Sequence, residues 1–183
     1  MQKEYIGLIV GALIILVASG IFMSSGSFVS SITEVNVVNN TYSGDGVSFN
    51  IPPNWQVYKL VIGSDINIDI AKNNSNNTKI SIGVSHNPKG TSNQDLIYSI
   101  QNPSNPSGWQ KISNNTIMVD GNTAYETLYT VNDSHFTEIM TDEQINFIKG
   151  DYSYGLDFQS PSNEFNNEKS NFNITLNSFK ILM

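Results

Sequence analysis

The chain has 183 residues, with nine Lys, no Arg and sixteen Asp or Glu, for a formal charge of −7 at pH 7. Only 14% of its residues are charged, against about 25% in ordinary domains. That balance excludes a nucleic-acid binder, which needs a dense cationic footprint, and the lack of Arg removes the bidentate clamp for phosphate and carboxylate. The chain also has no Cys, which rules out disulfides, thiolate metal sites and lipid acylation but leaves the redox compartment open.

The first element is an apolar run from Tyr5 through Phe22, preceded by Lys3 and Glu4 and followed by no charge until Glu34. Residues 6–23 form a predicted helix roughly 27 Å long, close to the roughly 30 Å core of a bilayer. Residues 1–23 therefore read as one transmembrane helix or an uncleaved signal anchor. A cleaved secretory signal competes, because Ala18-Ser19-Gly20 is acceptable to a signal peptidase, but the run exceeds the roughly 7 to 15 residues of a signal core. Lys3 places the N-terminus in the cytoplasm by the positive-inside rule, and the Lys-free flank from Ser24 to Val38 lets the rest be exported. The expected location is a single-pass cell-membrane protein with its C-terminal domain extracytoplasmic.

Residues 24–41 read as a linker with one short strand at Ser31 to Val38. The remaining roughly 140 residues bury one core and rarely two, so 42–183 is expected to be a single domain. Val47-Ser48-Phe49-Asn50-Ile51 alternates apolar and polar residues and stops at Pro52-Pro53, as a strand does. Trp55 to Tyr58, Asp65 to Ile70 and Lys79 to Val84 repeat the period of two, the last two joined by the polar turn Asn73 to Asn77. Thr91 to Asp95 offers cap residues for a short helix with Leu96, Ile97 and Ile100 on one face, ended by Pro103 and Pro106.

Strands return at Thr116 to Val119 and Thr123 to Val131 around Asp120-Gly121-Asn122, and at Phe136 to Ile148 and Tyr152 to Phe158 around Lys149-Gly150-Asp151. Ser160-Pro161 reads as the cap of a second helix carrying Phe165, Phe172 and Leu176, and Ser178 to Ile181 as a closing strand. Consecutive hairpins with two helices give an α+β class, an antiparallel β-sheet flanked by helices.

At both ends these motifs resemble a known family. Tyr42 with Gly46-Val47-Ser48-Phe49-Asn50-Ile51-Pro52-Pro53-Asn54-Trp55, the mid-domain Gly121-Asn122-Thr123-Ala124-Tyr125-Glu126, and Gly150 to Phe158 followed by the Phe165 helix and Asn177-Ser178-Phe179-Lys180-Ile181 are similar to PsbP-like domains, named for an extrinsic subunit of photosystem II. The likeness covers Tyr42 to Met183 and implies a PsbP-like α/β/α sandwich. Members include photosystem assembly and stabilising factors, and many prokaryotic relatives are anchored or secreted proteins of undefined role. The matched residues are scaffold, so the resemblance carries over no functional residue.

The chemistry-bearing candidates are sparse. Asp65-x-Asn67-x-Asp69 lacks the Gly and Glu of a calcium-binding loop, having Ile70 and Asn76 there, and fits a strand with a wet face. His135 and Glu138, three apart on a predicted strand, point to opposite faces. His86 reads as a surface histidine on a loop. Glu138, Asp142 and Glu143 form an acidic patch, where weak Ca²⁺ or Mn²⁺ binding is compatible with the residue types but a solvated turn is the expected reading. Sequons begin at Asn39, Asn73, Asn76, Asn114, Asn132 and Asn173, candidate glycosylation acceptors in an exported domain, although an Asn-rich chain produces such triplets by chance.

No nucleophile elbow, phosphate loop or His-Glu-x-x-His spacing occurs, so neither catalytic residues nor a resident cofactor or metal is expected. The expected role is non-catalytic binding or stabilisation of a protein partner at the cell surface, with the membrane engaged through residues 6–23. An extracytoplasmic enzyme or metal-dependent small-molecule binder is the alternative, recognisable by acids converging in a pocket.

Overall fold

The structure, a computed structural model, describes residues 29–35, 37, 39–62, 65–73, 75, 77–87, 92–102, 107–134 and 136–182. The predicted membrane-crossing run at 6–23 lies outside them, and no described helix is long and apolar enough to cross a membrane.

Among the described residues, eleven strands and two helices follow one another in the order β1 (Val29–Glu34), β2 (Thr41–Gly44), β3 (Val47–Asn50), β4 (Trp55–Ile62), β5 (Asp65–Lys72), β6 (Lys79–His86), α1 (Asn93–Gln101), β7 (Trp109–Val119), β8 (Asn122–Val131), β9 (Met140–Lys149), β10 (Tyr152–Pro161), α2 (Phe165–Ser178) and β11 (Lys180–Ile181). Eight strands form one sheet in the order β1-β4-β5-β6-β10-β9-β8-β7, and β11-β3-β2 form a second. The strand pairs are antiparallel. The stretch read as a linker thus contributes β1 to an edge of the main sheet, and the closing strand pairs with β3 in the small sheet.

Local chemistry explains the joins. Asp120 and Gly121 (φ 47° and 75°) make the two-residue turn between β7 and β8, and Asp45 and Gly46 (φ 52° and 78°) do the same between β2 and β3. Positive φ at both turn positions matches the twist of the strands they join. Ser92 caps α1, its Oγ accepting the Asp95 backbone N–H at 3.1 Å. The cap expected at Ser160-Pro161 is a correction: Ser160 is buried and Pro161 ends β10. Helix α2 starts four residues later, after Glu164, without a side-chain cap. It is held by packing and by ion pairs, Lys72 Nζ reaching Glu168 Oε1 at 2.6 Å and Lys169 reaching Glu143.

The core lies between the apolar face of the large sheet and a layer made of α2 and the small sheet. Ile68, Ile70, Ile80, Ile82, Ile145, Phe147, Tyr154, Leu156 and Phe158 meet Phe49, Phe165, Phe172 and Phe179 there. Phe158 stacks on Phe172 with ring centroids 5.2 Å apart, and Phe147 meets Phe179 edge-on at 6.1 Å. Such pairs add roughly 0.5–1.5 kcal/mol beyond the area they bury.

Candidate functional site

The opposite face of the large sheet is polar, and it too is covered. Because side chains alternate along a strand, Asp69, Ser81, Asp157, Gln144 and Thr127 form one row across β5, β6, β10, β9 and β8. The neighbouring row holds Lys79, Gln159, Asp142 and Tyr129. Asp69, Asp142 and Asp157 are 1%, 0% and 6% exposed. The wet face expected for Asp65-x-Asn67-x-Asp69 is therefore corrected: Asn67 and Asp69 are buried, on the face where α1 packs against β9.

Burial disfavours the charged form of a carboxyl group and raises its pKa. Asp69 is raised for this reason, although the Lys79 charge, Ser81 and Asn67 all favour its carboxylate. Desolvation pushes Asp142 up to about 6, against the neighbouring Asp157, Gln144 and Gln159, which favour its charged form. Asp157 rises well above its ordinary range, first by burial and then by the charge on Asp142. With both groups ionised, Asp142 Oδ1 and Asp157 Oδ1 have no donor. A proton shared between them supplies one, and the buried pair holds that proton more tightly than two free carboxyl groups would. Tyr129, beside Asp142 on β8, is pushed up to about 12 by burial and by that charge.

The acidic patch expected at Glu138, Asp142 and Glu143 does not form. Asp142 and Glu143 are successive residues of a strand and point to opposite faces. Asp142 enters the polar row, while Glu143 faces α2 and accepts a hydrogen bond from Lys169. Both are buried rather than on a solvated turn. Glu143 is pushed up to about 7 by burial, with Lys169 favouring its charged form and Glu126 opposing it. Glu138 precedes β9 and accepts from Asn77 Nδ2 at 3.0 Å, so it is not on the strand expected from Phe136 onward. His135 lies outside the described residues. His86 is exposed at the end of β6, its ring edge-on to Tyr152 at 5.2 Å, so it closes a strand rather than sitting on a loop. Among the described residues no group of three or more His, Cys, Asp or Glu side chains is placed to hold a metal ion.

Other acids serve as ties. Asp45 accepts from Lys59 at 2.6 Å and from the Tyr42 hydroxyl. Burial works against its charge, but these two donors hold its carboxyl below the usual range. Asp120 accepts from the Ile181 backbone N–H at 3.0 Å and from Lys180 at 2.9 Å, fastening the β7–β8 turn to β11.

An open concavity lies at the β7–β8 margin of the polar face. It is a cleft of about 480 Å³ between the end of α1, with Ile100, Gln101 and Asn102, and the strands carrying Asn114, Asn115, Thr116, Tyr125 and Thr127. Neutral amides and hydroxyls dominate it. No sequence signal marks this cleft, because its residues come from three elements separated along the chain.

Of the sequons, Asn39, Asn73, Asn114 and Asn132 are exposed, Asn39 with φ 52° in a turn. Asn114 lies on edge strand β7 and in the cleft. Asn173 is half-buried on α2, and the hydroxyl of its Thr175 is spent on Asn50 O at 3.0 Å. Asn76 lies outside the described residues.

The solution structure of cyanobacterial PsbP (CyanoP) from Synechocystis sp. PCC 6803 is similar, with a TM-score of 0.51 and 16% identity over 88% of this chain and 99% of that one. At that identity the match shows the fold. LpqN of Mycobacterium tuberculosis, involved in cell envelope biogenesis, matches with a TM-score of 0.46 and 11% identity over 82% of this chain and 91% of that one. No curated protein sequence matches. The family model of PsbP-like proteins matches residues 8–181, and this chain belongs to that family.

Proposed function

We propose that this protein is a membrane-tethered, extracytoplasmic binding domain with a non-catalytic role in holding or stabilising a partner at the cell surface. The apolar run ahead of the folded part supports the tether. The observation that carries the binding role is the division of labour among polar groups. Asp45, Asp120, Glu143 and Glu168 tie elements together and Asp69, Asp142 and Asp157 are sealed in the sheet, while the open cleft presents neutral hydrogen-bonding groups and a tyrosine. Recognition uses such groups, whereas acid–base work needs a titratable group facing the substrate.

The alternative, an enzyme or metal-dependent binder, has one favouring observation: Asp69, Asp142 and Asp157 share a face. They lie around Lys79 and are closed to solvent. A pair of reporter fusions after Met183 tests the main reading. Alkaline phosphatase, active only outside the cytoplasm, is expected to be active and a green fluorescent reporter dark; the reverse pattern would overturn export.

A further inference from the structure

We propose that the cleft between α1 and the β7–β8 hairpin binds a neutral, polyhydroxylated ligand, a short segment of glycan. This inference rests on the reading of the chain as an exported binding domain and names the class of ligand for it. Three features of the lining lead there. None of the described residues that line it is charged, so neither an anionic nor a cationic ligand finds a counter-charge among them. The side chains of Gln101, Asn102 and Asn114 each combine a donor and an acceptor, and Thr116 and Thr127 add hydroxyls. Vicinal sugar hydroxyls are donor and acceptor at once and match that inventory, whereas an apolar ligand would leave the amides unpaired.

Tyr125 supplies the third feature, an aromatic ring on the cleft floor against which the C–H face of a pyranose packs. One amide is pre-set: Asn102 Nδ2 donates to Tyr98 O at 3.0 Å, fixing that side chain and leaving its Oδ1 as an acceptor. Asn114 also begins a sequon, so a glycan attached there would compete with a free one for the same walls.

The test uses the full chain in lipid nanodiscs, made in a host without N-glycosylation and confirmed unmodified at Asn114 by intact mass. Maltotriose, cellotriose and the N-acetylglucosamine trimer are titrated against the side-chain amide signals of Gln101, Asn102 and Asn114, with trigalacturonate as the anionic control. At least one neutral trisaccharide is expected to shift those signals saturably below about 10 mM. Tyr125→Ala is expected to weaken that binding at least roughly tenfold, with Thr116→Val as a second variant if the first does not fold, while Asn73→Gln leaves it unchanged. No shift with any neutral trimer, an equal response to trigalacturonate, or full binding by a folded Tyr125→Ala chain would overturn the inference. None of these outcomes bears on export, which the reporter fusions decide separately.

Discussion

Replacing Asp157 by Asn should stabilise the protein at neutral pH. Asp157 and Asp142 sit on adjacent strands of the buried polar face, and both carboxyl groups are raised by burial, Asp142 to about 6. For a carboxyl whose folded pKa lies above its unfolded value, the folded state holds the proton more tightly, so stability falls as pH rises through the window between the two. For Asp142 that window runs from the ordinary 3.8 to about 6, and at 1.36 kcal/mol per pH unit its width corresponds to about 3 kcal/mol lost by pH 7. Asp157, raised further, extends the loss to higher pH.

A carboxamide in place of the Asp157 carboxyl would keep the volume, offer a permanent Nδ2 donor to Asp142 and remove the competing acid. The Asp157→Asn chain is expected to flatten the decline and to exceed wild type by on the order of 1–3 kcal/mol at pH 7.5, with little difference at pH 4.5. Urea unfolding in detergent micelles, followed by the fluorescence of Trp55 and Trp109 across that pH range, reads the effect. A wild-type chain that gains stability from pH 4.5 to 7.5, or a variant destabilised equally at every pH, would refute the reasoning.

Other perturbations test separate parts of the fold. Phe172→Ala removes a fully buried ring stacked on Phe158 and should cost about 3–5 kcal/mol in the same urea titration; a loss near zero would mean that α2 does not pack as described. Gly108→Ala should destabilise more than Gly121→Ala. Both have positive φ, but a Cβ at Gly108 meets Asn132 O at 2.5 Å while one at Gly121 meets nothing within 4 Å. Equal melting temperatures for the two would contradict that difference. Lys169→Ala strands Glu143 without its cation and should cost about 1–3 kcal/mol at pH 8, shrinking toward pH 5 as Glu143, already raised to about 7, takes up a proton. A penalty independent of pH would argue against the ion pair.

Much of the scaffold is legible from periodicity. The alternation in Lys79 to Val84 and Tyr152 to Phe158 identifies β6 and β10 and places Ile80, Ile82, Tyr154, Leu156 and Phe158 on the face that proves to be the core. Gly121 and Gly150 mark their turns because both need positive φ. What alternation does not reveal is whether a second layer covers a face. It therefore leaves Asp69 on a solvated face, although the sheet places it beside Ser81 in a row of buried polar groups. The separation of Asp142 from Glu143 is readable from their adjacency on a strand. The start of α2 is not, because Ser160-Pro161 has the chemistry of a cap yet continues the pairing of β10 with β9. The cleft is invisible for a different reason: pairing brings Asn114 opposite Thr127, but only the tertiary placement of α1 brings Gln101 over them.

Export of a folded domain can be measured in a single experiment, because the chain has no cysteine of its own. An Asn115→Cys chain, with the substituted position exposed on edge strand β7, is treated with a membrane-impermeant maleimide in intact cells, beside an Ile80→Cys chain whose position is fully buried. Labelling of the Asn115→Cys chain in intact cells, with the Ile80→Cys chain protected until it is denatured, is the expected result. Labelling of the Asn115→Cys chain only after lysis would put the domain in the cytoplasm and contradict a surface role.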